Sequence, residues 1–333
     1  MKQNNMTKTK GVLAGMAALL LAFGLILTGC GDSDDGDPSS PSTPPGPSAA
    51  VVEFQNTLKK LGDTTAEKPS PVVLRAIVIS KDDDDDTSDW GKVNKAVEDA
   101  QKYVILSLSD CTFRNNTVEG SSSGDTGMNL FKNNPYIKGI ILPETVTSIG
   151  ESAFKDCSGL TSVDIPKKAQ VTSIGASAFY GCSGLTSVDI PSNVASIGVN
   201  AFNGCFGLTS VSIPANVTSI GSGAFTDCTG LTNVNILTSS NLASIGYNAF
   251  YNCTGLTSVK IPGGVTSIES YAFYNCTNLA TVELPANVTT IGNFAFPGSN
   301  NALRTKYQES GSVASIYTWT PGSSSSSSWT KQP

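Results

Sequence analysis

The sequence predicts a right-handed solenoid of stacked α/β-type coils. A parallel β-sheet would line its concave face, and an α/β cap would close its N-terminal end. Three observations predict it. The 333-residue chain carries seven Ala-Phe pairs, at Phe154, Phe179, Phe202, Phe225, Phe250, Phe273 and Phe296. They are spaced 25, 23, 23, 25, 23 and 23 residues apart, and the same phrase, "LTSVDIPSNVASIGVNAFNGC" in Leu185–Cys205, recurs between them with light edits. The two longer units carry their extra residues in one place, "PKKAQV" and "LTSSNL" against "PSNV", and a stack tolerates insertions confined to a loop. A period of roughly 20–29 residues with this strand pattern is that of a leucine-rich repeat solenoid.

Each position of the unit has a physical reason. In "LTSVDIP", Leu185, Val188 and Ile190 point inward while Ser187 and Asp189 flank the strand and point out. Pro191 ends the strand because it has no N–H for the ladder. Val194 and Ile197 send a second pair inward, and Gly198 is expected to permit the turn. Ala201 allows close approach, Phe202 fills the middle and Cys205 closes the turn before Leu208. The strands begin at Ile137, Leu160, Leu185, Leu208, Leu231, Leu256 and Leu279. A degenerate eighth is expected in "YVILSLSDC", with Tyr103, Leu106 and Leu108 in matching places. Eight strands span about 35 Å along the stack. No unit buries its apolar face alone, so the ends need caps.

Upstream, Val51, Phe54, Leu58 and Leu61 share a helical face, "PVVLRAIVIS" reads as a buried strand, and Trp90, Val93, Val97 and Ala100 form a second helical stripe. Its start is expected at Ser88 or Asp89. Downstream, Tyr307, Tyr317 and Trp319 are expected to cover Phe296, and "PGSSSSSSWTKQP" reads as a mobile tail.

The chain opens with Lys2, Lys8 and Lys10 before an uncharged stretch, Gly11 to Thr28, the form of a secretory leader, with a single membrane-spanning anchor as the alternative. The leader runs into "LTGC", Leu27–Cys30, which resembles the lipobox of bacterial lipoproteins. The resemblance implies that Cys30 is acylated and becomes the new N-terminus. "GDSDDGDPSSPSTPPGPS" follows as an acidic, Pro/Ser-rich tether. The expected divisions are a leader over 1–29, a tether over 30–50, an N-terminal capping region over 51–134, repeats over 135–298, and a C-terminal cap and flexible tail over 299–333.

Composition narrows the chemistry. There is no histidine, which removes Ser-His-Asp and Cys-His catalysis and every His-containing metal site. The net charge is −6, with no basic cluster, so no nucleic-acid partner is expected. Enzyme activity, a cofactor and a metal are not expected either. The run Asp82 to Asp86 lacks the glycine and the glutamate of an EF-hand loop, Thr87 and Val93 standing in their places, and reads as a solvated loop. "NVT" at Asn216 and Asn287 matches a glycosylation acceptor and reads as chance within a repeat. The repeat cysteines, Cys157, Cys182, Cys205, Cys228, Cys253 and Cys276, offer two readings. One is a disulfide or metal column. The favoured one is a column of small buried residues with free thiols, because no C-x-x-C pair exists and bridges would consume the column pairwise. Cys111 fits the same role in the cap.

The tokens "L-x-x-V-x-I-P", "V-T-S-I-G" and "A-F-x-x-C", over about Tyr136 to Gly298, resemble the BspA-type leucine-rich repeat proteins of host-associated bacteria, treponemal surface lipoproteins in particular. Departures are Leu237 where Pro is usual and Ser299 where Cys is usual. The resemblance implies surface exposure, adhesion to host matrix or plasma proteins, and no enzyme activity. The residues supply the face for such work: a small residue followed by a variable one, the latter running Asp164, Asp189, Ser212, Asn235, Lys260 and Glu283. This column is the candidate binding face, and it lacks an aromatic anchor unless Tyr180, Phe206, Tyr251 or Tyr274 contributes from the loops. The expectation is a monomeric, lipid-anchored protein on the outer surface of a bacterial envelope, binding a macromolecule of a host or neighbouring cell. A structural envelope protein without a specific ligand is the alternative.

Overall fold

The fold is described from a computed structural model, over residues 49–61, 68–79, 89–113, 117–118, 134–237, 241–298, 302–320 and 328–332. The leader, Cys30, the tether up to residue 48, the run Asp82 to Asp86, Ser88 and Ser299 lie outside the described residues, as do the side chains of Trp90, Cys111 and Trp319.

The N-terminal region contains α1 (Ala49–Lys60), β1 (Ser70–Ile79), α2 (Asp89–Ala100), β2 (Val104–Phe113) and β3 (Thr117–Val118). Each repeat then contributes a longer and a shorter strand. They are β4 (Ile137–Ile141) and β5 (Ser148–Ile149), β6 (Ser162–Asp164) and β7 (Ser173–Ile174), β8 (Ser187–Val188) and β9 (Ser196–Ile197), and β10 (Ser210–Ile213) and β11 (Ser219–Ile220). The next are β12 (Asn233–Ile236) and β13 (Ser244–Ile245), β14 (Ser258–Lys260) and β15 (Ser267–Ile268), and β16 (Thr281–Leu284) and β17 (Thr290–Ile291). The chain closes with α3 (Ala302–Glu309), β18 (Ser315–Thr320) and β19 (Ser328–Lys331).

The result is a solenoid of about seven stacked coils. The longer strands pair in parallel in the order β1-β2-β4-β6-β8-β10-β12, with β14-β16 continuing in a second sheet. The shorter strands form an eight-stranded sheet, β3 to β17, among the described residues. A third ladder runs through the Ala-Phe turns, where each Phe N–H donates to the Ala carbonyl one coil on, Phe179 to Ala201 and Phe202 to Ala224, each at 2.7 Å. Three ladders around one core leave few backbone groups of a coil unpaired.

The core is the one the spacing predicts. Leu185, Val188, Val194, Ile197, Ala201, Phe202 and Cys205 are all buried, Ile190 is half-buried and packs against them, and their equivalents join one continuous cluster from Val51 to Trp329. The Phe rings stack along the axis at centroid distances of 5.0–5.1 Å, with planes within 10° of parallel. The threonines that follow Leu185, Leu208 and Leu231 donate their hydroxyls to the equivalent carbonyl one coil back: Thr186 to Thr161 at 3.2 Å, Thr209 to Thr186 at 3.3 Å and Thr232 to Thr209 at 3.1 Å. Asn216 likewise donates to the Ser192 carbonyl at 3.0 Å, so the Asn of the "NVT" stretch has a place in the coil-to-coil bonding.

In the cap, Val51, Phe54, Leu58, Val93 and Val97 are buried, with Leu61 and Ala100 packed alongside. Strand β1 lies parallel to β2, which pairs with β4.

Three expectations need correction. Gly198 does not have a left-handed backbone. It is needed because a Cβ there would lie 2.5 Å from the Ala176 nitrogen and the Gly175 carbonyl carbon, so coils stack too closely for any side chain at that point. The left-handed positions lie elsewhere, two residues before each Phe and two after it, as at Asn200 (φ 54°) and Gly204 (φ 74°).

The eighth strand is offset by one residue at its start. Val104, not Tyr103, pairs with Ile137, and a register shift then brings Leu106 against Ile140.

Third, the end of the supposed mobile tail forms β19, antiparallel to β18, which is antiparallel to β16. Trp329 is buried, packs edge-on to Phe296 at 6.2 Å and donates its indole N–H to the Pro297 carbonyl at 3.0 Å. It covers the last Phe, while Tyr307 and Tyr317 pack against each other beside it at 6.2 Å.

Candidate functional site

The candidate face is the outer surface of the longer strands. Alternation places one residue of each strand inward and its neighbours outward. Val163, Val188, Val211, Val234, Val259 and Val282 are buried, and Asp189, Ser212, Asn235 and Lys260 are exposed, with Asp164 and Glu283 half-buried. Parallel pairing in register puts Ser212 beside Asn235 and Lys260 beside Glu283. The six residues therefore form one line along the stack, with one side chain per coil.

Neighbours in this line interact. Asn235 Nδ2 donates to Ser212 Oγ at 3.3 Å. Lys260 Nζ lies 2.5 Å from a Glu283 carboxylate oxygen; both are substantially exposed, so the pair contributes little to stability. Burial pushes the Asp164 carboxyl above the usual carboxylate range, and the charge of Asp189 pushes it further. One end of the line is thus acidic, the middle polar and neutral, and the far end a zwitterionic pair. Beyond it, Ile316 of β18 stands opposite Glu283 and is exposed. The arrangement offers hydrogen bonds and charge over many coils. Among the described residues, no group of His, Cys, Asp and Glu is arranged to hold a metal ion, and no helix is long and apolar enough to cross a membrane.

The repeat cysteines serve the core. Cys157, Cys182, Cys205, Cys228, Cys253 and Cys276 are free and buried. Burial pushes the Cys157, Cys205, Cys228 and Cys253 thiols well above the ordinary thiol range. A thiol kept protonated and out of solvent is a poor nucleophile and a poor metal ligand.

The aromatics lie on the Ala-Phe turns, away from this line. Phe206 is exposed, Tyr180 borders exposure and carries Lys155 over its ring at 5.7 Å, and Tyr251 stacks on Tyr274 at 5.6 Å. Sequence reasoning passed over Tyr247, Tyr271 and Phe294, which join the last pair. Their signal was present in the repeat: Tyr271 and Phe294 occupy the position that Ser152, Ser177 and Asn200 hold in earlier coils.

The sequence model of the BspA type leucine rich repeat region matches residues 125–253 and 236–320, with six copies. A leucine-rich repeat protein from Bacteroides ovatus is 33% identical, with a TM-score of 0.47, over 54% of this chain and 48% of that one. This chain thus spans about half the length of that protein. A leucine rich cell surface protein from Faecalibacterium prausnitzii is 28% identical, with a TM-score of 0.36, over 55% of this chain and 67% of that one. The T. pallidum leucine rich repeat protein is 21% identical, with a TM-score of 0.44, over 70% of this chain and 95% of that one. No curated protein matches. The family match extends over more than half of the chain and falls on the coils described above: the chain belongs to the BspA type leucine-rich repeat family.

Proposed function

We propose that this chain is a binding protein displayed on the outer surface of a bacterial envelope and anchored by acyl chains on Cys30. Its strand face would recognise a macromolecule of a host or a neighbouring cell, with matrix and plasma proteins the first class to try. The observation that carries this reading is the contrast within each coil. The inward residues scarcely vary, while the adjacent outward line runs Asp164, Asp189, Ser212, Asn235, Lys260, Glu283. A constant frame with a varied face is how solenoids build extended binding surfaces. Both ends of the stack are covered, which supports a protein working as a monomer. The acidic tether supports display at a distance from the bilayer.

The reading has three parts and each has its experiment. Intact mass of the detergent-extracted protein should show a mature chain beginning at Cys30 with added acyl mass. Protease shaving of intact cells should remove the repeats. The full chain should then capture a ligand from matrix or plasma protein. Shaving that removes the repeats with no capture from any host or neighbouring-cell fraction would favour a structural envelope role. A mature chain that begins at Met1 without lipid would remove the anchor.

A further inference from the structure

The turns of the last two coils differ from the others in one respect. In every coil the residue two before Phe has a left-handed backbone: Ser152, Ser177, Asn200, Gly223 and Asn248, then Tyr271 (φ 60°) and Phe294 (φ 52°). Gly and Asn tolerate this conformation, and bulky side chains oppose it. Five coils obey the rule and the last two break it in succession. Strain retained at adjacent positions points to work done by the two rings.

The rings belong to a larger cluster. Tyr271 stacks on Phe294 with centroids 5.4 Å apart and planes 15° from parallel. It meets Tyr247 at 5.7 Å and Tyr274 at 5.5 Å, both edge-on, and Tyr274 stacks on Tyr251. Tyr247 is 48% exposed and the other four are half-buried. The turns read "YNAFYN", "SYAFYN" and "NFAFPG". Apart from the buried Ala-Phe pair, they offer only aromatic rings, carboxamides, a hydroxyl, Pro and Gly. Beside the rings runs a row of amides, Asn275 donating to Asn252 at 2.7 Å and Asn252 to Asp227 at 2.6 Å.

We propose that this turn edge is a second binding site, for neutral glycans, independent of the strand face. Aromatic faces take the C–H face of a pyranose, and phenol hydroxyls and carboxamides pair with its hydroxyl groups. The coils repeat on the scale of one sugar ring, so an oligosaccharide along the stack meets one or two aromatic rings per turn. Charge selects against acidic glycans: Asp227 on the preceding turn and Glu269 just before Ser270 are acidic, and Lys155 stands at the first coil, over Tyr180. Carboxamides flank the rings on these turns, at Asn248, Asn252, Asn275 and Asn293, so hydrogen bonds to sugar hydroxyl groups can accompany each ring contact.

The test uses the full chain in detergent on an array of neutral and acidic glycans, followed by calorimetric titration with the neutral oligosaccharides it retains. The double variant Tyr271→Asn/Phe294→Asn restores a residue that the same position holds in other coils. It should melt within a few degrees of the parent and lose at least tenfold in affinity. Tyr247→Ala, at the exposed ring, should lose severalfold with the fold untouched. Replacing Asp189, Ser212, Asn235 and Lys260 together should leave glycan affinity unchanged. The proposal is overturned if no neutral glycan binds, if only sulfated or sialylated glycans bind, or if the variants at Tyr247, Tyr271 and Phe294 bind as well as the parent. Loss of a protein partner in the double variant, without glycan binding by the parent, would reassign the cluster to protein docking and overturn it too.

Discussion

The Sγ of Cys205 donates to the carbonyl oxygen of Phe179, one coil back, at 3.1 Å, and the same oxygen accepts the N–H of Cys182 at 3.2 Å. The relationship repeats from Cys182 to Phe154, Cys228 to Phe202, Cys253 to Phe225 and Cys276 to Phe250. Each of these five cysteines therefore fills space and ties its coil to the one before. Cys205→Ala should cost about 1–2 kcal/mol, for the lost sulfur contacts and the weak bond. Denaturant titration measures the cost. Thiol labelling completes the account: unreduced, denatured protein should show at least six reactive thiols, and folded protein should react slowly. Three disulfides within the repeats would contradict it.

The same column sets a pH limit. Burial holds the Cys157, Cys205, Cys228 and Cys253 thiols above their ordinary range, so the folded chain keeps protons that the unfolded chain releases. Stability is then complete below the unfolded thiol value of about 8.5 and falls above it, by up to about 1.4 kcal/mol per pH unit for each such thiol. Melting temperatures measured across that range should decline, and Cys228→Ala should make the decline shallower. A slope that the substitution leaves unchanged would assign the alkaline loss to other groups.

Trp329 closes the C-terminal end. Trp329→Ala uncovers Phe296 and leaves the Pro297 carbonyl without its indole donor. The expected cost is about 3–5 kcal/mol. Because coils hold each other only through neighbours, amide exchange should accelerate first in the last coil. Uniform acceleration throughout the chain would mean that the stack does not fray from its end.

Two glycines separate sterics from flexibility. Gly198→Ala drives a Cβ into the backbone of the preceding coil and should cost about 2–3 kcal/mol or more. Gly263→Ala meets nothing within 4 Å and should be neutral or stabilise by up to about 1 kcal/mol. Equal effects in a pair of melting curves would contradict the stacking explanation.

The fold was legible wherever a residue's role depends on its own repeat. The period, the inward Leu185, Val188 and Phe202, and the helical stripe of Val51, Phe54 and Leu58 follow from local spacing, and repetition amplified the signal. Roles set between coils were harder to read. Gly198 resembles a turn glycine because the coil that crowds it lies 23 residues away in the chain. The threonines at 186, 209 and 232 look like solvent-facing residues until their acceptors on the preceding coil are known. Trp329 follows a serine run with no periodicity, and its strand exists because β18, itself paired with β16, offers an edge to pair with. Val104 replaced Tyr103 because a register shift, invisible in one strand, aligns β2 with β4. The outward line was readable from alternation, but the aromatic edge was not, because its meaning lies in the backbone conformation of Tyr271 and Phe294.

Under the proposed function, the strand face holds a macromolecular ligand and binding spreads over several coils. The measurement is the affinity of three variants for the ligand the full chain captures, with melting temperatures showing that each is folded. Asn235→Ala should cost about 1 kcal/mol or less, as at most interface positions away from hot spots. Replacing Asp189, Ser212, Asn235 and Lys260 together should abolish binding. Replacing Lys155, Thr226, Asn248 and Ser270 on the turn edge should do little. Loss of binding in the turn-edge set, with the strand-face set unchanged, would contradict the claim.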